Sequence, residues 1–285
     1  MIEECITSRP LVPGDKAIIC LGDSFTQGQG AWSEQTWKKH NNRIDHKIIK
    51  DDLEIEIYNN SWPSQLVQNY LPEYVAVNLG VIGTGNKAAV KELYLNPNIN
   101  LQNISGGVLI YMLSGIERLD FINKTFPRHR HFDTVWPTPD HESEVWRAYA
   151  NHMWSDKFST IETILSIKEA ETYCKANNLS LVLISAFEQR YTKTWFEKMV
   201  GVNNKNLVDS VPWDSFFNPQ GCNSFIELLL KLEGKPELAG GSWYSHYSAL
   251  KEPSKYITNC CHPTIDGYTV MANEIYSHLK NKEMI

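Results

Sequence analysis

The chain has 285 residues, 42% apolar and 21% charged, a globular balance that excludes collagen-like, coiled-coil and wholly disordered classes. Its formal net charge is −6, from 27 Lys+Arg against 33 Asp+Glu. A mildly acidic chain lacks the basic footprint of general nucleic-acid binding.

The first segment, MIEECITSRPLVPGDK, has two early acids and no apolar signal region, and no apolar run in the chain reaches membrane-spanning length. The expectation is a cytoplasmic or virion-associated protein with neither a membrane nor a nucleic acid as partner. Six cysteines show no C-x-x-C spacing, so no zinc or dithiol site is signalled. Cys20 and Cys174 fall in apolar segments and read as buried free thiols.

Residues 17–21 (AIICL) read as a buried strand running straight into Gly22-Asp23-Ser24. Residues 33–60 are polar and charged, with an alternating stretch at Glu54–Tyr58, and read as an insertion carrying a hairpin. Ser61-Trp62-Pro63 opens a helix, with Ser61 as N-cap and Leu66, Val67, Tyr70 and Leu71 on one face. Residues 75–79 (VAVNL) form a second strand closed by Gly80-Val81-Ile82-Gly83, and a helix follows Gly85 to about Tyr94. Residues 107–113 (GVLIYML) are a third strand.

Residues 120–158, rich in Pro, His and Trp, read as a long loop or lid-like insertion whose basic run Arg128-His129-Arg130-His131 is a solvated loop. A helix over 159–176 and a fourth strand at 180–186 (SLVLISA) come next. A second irregular stretch, 190–258, holds one helix near 223–233. Ile265, Tyr268, Met271, Ile275 and Leu279, at gaps of three and four, mark a final amphipathic helix. Short uncharged strands alternating with helices predict an α/β fold, a mostly parallel sheet with helices on both sides, in one domain with insertions.

In such sheets ligands bind at the carboxyl ends of the strands. Gly22-Asp23-Ser24 follows the first strand, Asn78 to Gly83 the second, and Ser114-Gly115 the third, while Asn259-Cys260-Cys261-His262-Pro263 precedes the last helix. A serine on a sharp strand-to-helix turn sits at a helix N-terminus, where a developing oxyanion is favoured. A neighbouring glycine lets a second backbone N–H approach the same spot. A distant histidine can serve as base, because such sites are assembled in space. Asp23 reads as structural, its carboxylate bonding amides of the turn.

These pieces, in this order, resemble the SGNH (GDSL-like) hydrolase superfamily in its phage and microbial form. GDSFTQG at 22–28 is similar to its first block, NLGVIG at 78–83 to its second, and HPTIDGYTVMANEIYSHL at 262–279 to its last; SWPSQL at 61–66 also resembles a segment of such members. The resemblance implies a three-layer α/β/α, flavodoxin-like fold with a five-stranded parallel sheet, and hydrolysis of esters or O-acyl groups with no metal or cofactor. It implies Ser24 as nucleophile, His262 as base and Gly83 as oxyanion-hole glycine.

The chain departs from the family at two places. The third block, usually G-x-N-D, is here Leu113-Ser114-Gly115-Ile116-Glu117-Arg118, with no Asn to donate into the oxyanion hole. Ser114 is the candidate substitute beside the backbone donors of Ser24 and Gly83. The acid of the family's D-x-x-H is here Asn259. An amide oxygen can hold the imidazole but supplies no negative charge, and in a serine triad an Asp-to-Asn change costs about four orders of magnitude.

Trp136, Trp146, Tyr149 and Trp154 lie in one insertion, and Trp195, Trp213, Phe216, Phe217, Trp243, Tyr244 and Tyr247 in the other. Most read as small cores of the insertions; exposed rings suit sugar faces. Arg118 and Trp136 are candidate substrate contacts. The expectation is a serine esterase removing short acyl, above all O-acetyl, groups from a small-molecule or glycan ester, with the oligomeric state left open. The two departures motivate an alternative, a glycan-binding or virion structural module with weak or no turnover. A lipid or thioester hydrolase is a third reading.

Overall fold

The computed structural model describes residues 7–39, 51–95, 104–122, 132–135, 138–187, 189–240, 254–258 and 261–285. In chain order come β1 (Asp15–Gly22), α1 (Ser24–Gln27), α2 (Glu34–Lys39), α3 (Asp51–Asn60), α4 (Trp62–Tyr70), β2 (Tyr74–Gly80), α5 (Asn86–Leu95) and β3 (Ile104–Leu113). They are followed by β4 (Leu119–Ile122), β5 (Phe132–Val135), α6 (Glu144–His152), α7 (Asp156–Ala176) and β6 (Leu179–Ser185). Last come α8 (Lys193–Val200), α9 (Lys205–Asp209), α10 (Phe225–Leu232) and α11 (Ile265–Asn281).

The apolar runs become a parallel sheet in the order β2-β1-β3-β6. Successive side chains of a strand point to opposite faces, and here each face is covered. Ala17, Ile19 and Leu21 of β1 join Leu109, Tyr111 and Leu113 of β3 in a core with Ala89 and Val90 of α5, Ile164 and Ile167 of α7, and Phe196 of α8. Ile18 and Cys20 join Val108, Ile110 and Met112 in a second core with Trp62 and Leu66 of α4, Phe225 and Leu229 of α10, and Met271 and Ile275 of α11. Burial on both sides is why these strands read as uninterrupted apolar runs. This is the α/β/α architecture that the resemblance implies. The sheet holds four strands among the described residues, against the five expected.

The chain leaves β1 for β2 on one side and then returns to β3 on the other. The reversal falls between β1 and β3, and in such folds ligands bind outside the carboxyl ends of the strands at this switch point. The last helix reaches the same region by packing on α4. There Thr269 Oγ1 donates to Gln65 Oε1 at 2.6 Å, and Tyr276 stacks on Tyr70 with ring centroids 4.8 Å apart.

Several helices match their sequence signals. Ser61 is the N-cap of α4 with Pro63 in its first turn, and Thr264 caps α11, its hydroxyl accepting from the Gly267 N–H at 3.1 Å. The insertions differ from expectation. Residues 54–58 lie in helix α3, not a hairpin, and 193–200 form α8 within the stretch read as irregular. The 120–158 insertion carries an antiparallel pair, β4 with β5, and helix α6. Cys20, Cys174 and Cys222 are buried free thiols and Cys261 is buried; burial pushes the Cys20 thiol well above its ordinary value and that of Cys174 up to about 12. Among the described residues no helix is long and apolar enough to cross a membrane.

Candidate active site

β1 ends at Gly22, and the next residue begins a single helical turn. Asp23 is its N-cap, with Oδ1 accepting from the Phe25 N–H at 3.0 Å. Ser24 is therefore the first residue of a turn whose N-terminal amides face the end of the sheet. The turn is held from below by β2. Asn78 Nδ2 donates to the Thr26 carbonyl at 3.0 Å, and Asn78 Oδ1 accepts from the Gly80 N–H at 3.0 Å. Gln27 Oε1 in return accepts from the Ile82 N–H at 3.1 Å. The backbones touch: a Cβ on Gly80 would lie 2.3 Å from the Gln27 nitrogen, so no other residue fits there without moving α1.

His262 comes from the segment just before α11. Thr258 clamps it, its N–H donating to the His262 carbonyl at 2.8 Å and its hydroxyl oxygen accepting the His262 N–H at 3.2 Å. The bridge between Ile257 and Pro263 closes this loop. Gly30, just beyond α1, lies against it: a Cβ there would meet the Pro263 carbonyl at 2.6 Å and His262 Cβ at 3.0 Å. The imidazole packs against Phe25, ring centroids 5.3 Å apart. Its Nε2 lies 2.9 Å from Ser24 Oγ, bringing together residues 238 apart in the chain. Both are buried, Ser24 at 4% and His262 at 6% exposure. Nε2 accepts the hydroxyl proton when the ring carries its own proton on Nδ1.

The N–H groups of Ser24 and Gly83 meet no acceptor among the described residues. Gly83 has φ +78° with open space where a Cβ would stand. Ser114, the third oxyanion candidate, is engaged on both sides. Its N–H donates to Asn86 Oδ1 at 2.8 Å and its hydroxyl to Asp23 Oδ2 at 3.0 Å. Arg118, expected at the substrate, is instead a buried partner of Asp23. Its side chain is 4% exposed, and Nη1 donates to Asp23 Oδ2 at 2.9 Å and to the Thr84 carbonyl at 2.7 Å. Asn259 and Trp136 lie outside the described residues.

Sequence reasoning missed the supports. Asn86, at the start of α5, donates to Tyr191 Oη at 2.7 Å, while Tyr111 donates to the Asn86 carbonyl at 2.5 Å and Tyr191 to the Ser114 carbonyl. Asp120 of β4 accepts from the Gly85 and Ala88 N–H groups at 3.0 and 2.9 Å, capping α5 from the insertion. Burial raises its carboxyl pKa against these bonds. A cavity of about 70 Å³ lies alongside, lined by Asn86, Gly115, Arg118, Asp120 and Thr163 among others. No group of three or more His, Cys, Asp or Glu suited to a metal ion occurs among the described residues.

No family model and no curated protein matches the chain. Among solved structures it is similar to a family two carbohydrate esterase from Clostridium thermocellum in complex with cellohexaose, at 12% identity and a TM-score of 0.43. The match covers 96% of this chain and 66% of that one, so the chain spans slightly less than two thirds of its length. It is also similar to the acetyl xylan esterase AlAXEase (12% identity, 92% and 99% covered, TM-score 0.40). A third is the lipase/acylhydrolase from Enterococcus faecalis (10% identity, 94% and 96% covered, TM-score 0.38).

Proposed function

We propose that the chain is a serine esterase of the SGNH type, carried on one α/β domain, that removes short acyl groups, chiefly O-acetyl, from a carbohydrate. The observation that carries this reading is the 2.9 Å contact between Ser24 Oγ and His262 Nε2 just beyond the carboxyl end of β1. A nucleophile and base within hydrogen-bond reach are the first requirement of acyl transfer by serine.

Ser24 Oγ attacks the ester carbonyl as His262 takes its proton. The carbonyl oxygen becomes an oxyanion between the N–H groups of Ser24 and Gly83. Collapse of the tetrahedral adduct breaks the bond to the sugar oxygen, which receives the proton from His262 and leaves as an alcohol. Water, deprotonated by the same imidazole, then attacks the acyl-serine and releases the acid. The Ser114 hydroxyl, as a donor to Asp23, supports the oxyanion hole from behind; its transfer to the oxyanion would require breaking that bond. Asn259 orients His262 through its side-chain oxygen.

The sugar reading rests on the insertion at β4 and α6. Phe121, 39% exposed, packs on Trp146 with ring centroids 4.8 Å apart, and Tyr149 stands edge-on to Trp146 at 6.4 Å. Partly exposed rings of this kind suit the apolar faces of pyranose rings. The test is a series of aryl esters of rising acyl length together with an O-acetylated xylan. Acetate is expected to be hydrolysed fastest, with acetic acid released from the polysaccharide. Activity that climbs with chain length would replace this reading with a lipid hydrolase.

The contact of Gly80 with α1 gives a second expectation. Gly80→Ala pushes Gln27 and, with it, the turn bearing Ser24. A displacement of about 1 Å at a nucleophile costs roughly 10²-fold in turnover. The kcat for aryl acetate is expected to fall by that order. Unchanged kcat in a folded Gly80→Ala protein would show that β2 does not set the nucleophile's position.

A further inference from the structure

We infer that Arg118 is a positioning residue that fixes the spacing of the two oxyanion-hole amides, an inference that rests on the esterase reading above. One guanidinium nitrogen bridges two segments that meet nowhere near each other in sequence. Nη1 donates to Asp23 Oδ2 at 2.9 Å and to the Thr84 carbonyl at 2.7 Å. Asp23 is the N-cap of α1, one residue before the Ser24 amide. Thr84 follows Gly83, the other amide. The two hydrogens of a single planar nitrogen thus tie together, from beneath, the two loops that supply the donors.

The surroundings give the bridge stiffness. Asp23 is fully buried and the Arg118 side chain is 4% exposed. Asp23 Oδ2 also accepts from the Ser114 hydroxyl at 3.0 Å, and its other oxygen from the Phe25 N–H. The guanidinium carbon sits 5.4 Å from the centre of the Phe187 ring. Phe187 packs on Phe25 at 5.6 Å, and Phe25 on the His262 imidazole at 5.3 Å. The cation is matched by the Asp23 carboxylate, so the pair is neutral as a unit, and its effect on a developing oxyanion is geometric. Where the family's third block supplies an Asn donor, this chain supplies Ser114 and Arg118 bonded to the same carboxylate oxygen.

A lysine keeps the charge but not the planar fork or the stacking on Phe187, and a glutamine keeps neither charge nor reach. Arg118→Gln is expected to lower kcat for aryl acetate about 10²-fold, the order for a misplaced catalytic group, with KM within a few-fold of wild type. Arg118→Lys is expected to fall between. A merely structural residue would not produce the accompanying change in phenylboronic acid binding. That probe forms a tetrahedral adduct on Ser24 with an oxygen in the oxyanion hole, so its affinity should weaken in step with kcat across the series, while inhibition by the product alcohol stays constant. Folded Arg118 variants with wild-type kcat and boronate affinity would overturn the inference, as would a rise in KM at constant kcat, which marks a substrate contact. If Arg118→Gln does not fold, Arg118→Lys decides by the same criteria. Ser24→Ala, assayed alongside, separates the two failures. Hydrolysis that survives Ser24→Ala removes the esterase reading itself; Ser24-dependent hydrolysis indifferent to Arg118 removes only this inference.

Discussion

Ser24→Ala is expected to lower kcat for aryl acetate by about 10⁴- to 10⁶-fold, the range seen when a serine hydrolase loses its nucleophile, while thermal unfolding stays close to wild type. The fold does not lean on the hydroxyl. What Ser24 contributes to the turn is its backbone: its carbonyl accepts from the Gly28 and Gln29 N–H groups at 3.1 and 2.9 Å. Alanine preserves those bonds and is a good helix residue. The Ser24 hydroxyl, which alanine lacks, meets His262 Nε2 at 2.9 Å. The loss is therefore chemical, and what remains is catalysis by the amide donors alone. Stopped assays on purified protein, with a fluorophosphonate probe that should label wild type and not the variant, check it. Equal hydrolysis by both proteins would take Ser24 out of the mechanism.

His262→Ala is expected to cost nearly as much, because an unassisted serine hydroxyl is a weak nucleophile. The sharper expectation concerns the double variant. If proton transfer between Ser24 and His262 is one event, Ser24→Ala/His262→Ala loses about what either single change loses, not the product of the two. Multiplicative losses would mean the two side chains act in separate steps. The imidazole also packs against Phe25, so the single variant should melt somewhat earlier than wild type. Comparing kcat below both melting points keeps the two effects apart.

How much of this is legible in the amino-acid order depends on how local the cause is. AIICL and GVLIYML are readable as strands because both faces of β1 and β3 are buried and no polar residue interrupts them. Ser61 and Pro63 mark the start of α4, although the Ser61 hydroxyl donates to the Tyr58 carbonyl at 2.6 Å instead of capping the helix, and the gaps of three and four announce α11. Residues 51–60 mislead because Leu53, Ile55 and Ile57 alternate as in a strand. Leu53 and Ile57 are also one helical turn apart, and packing beside α4 favours the helix, with Ile57 and Tyr58 buried. The pairing of β4 with β5 leaves no signal, since each is four residues long and the partners are not adjacent. Ser24 and Gly83 stand out by lying at strand ends. The Asp23–Arg118 bond spans 95 residues, and Asn86 beneath Ser114 spans 28. Nothing in the spacing of such residues marks them as partners, so only the folded chain brings them into view.

The separation of hydroxyl and imidazole has an implication for biosynthesis. On the mechanism proposed above, Ser24 leaves the ribosome 238 residues ahead of its base, so a growing chain carries the nucleophile long before the group that activates it. Such a chain would hydrolyse no ester until the segment bearing His262 has been translated and has packed against Gly30. Competence then arrives in a single late event, coupled to completion of the core rather than to the making of the nucleophile.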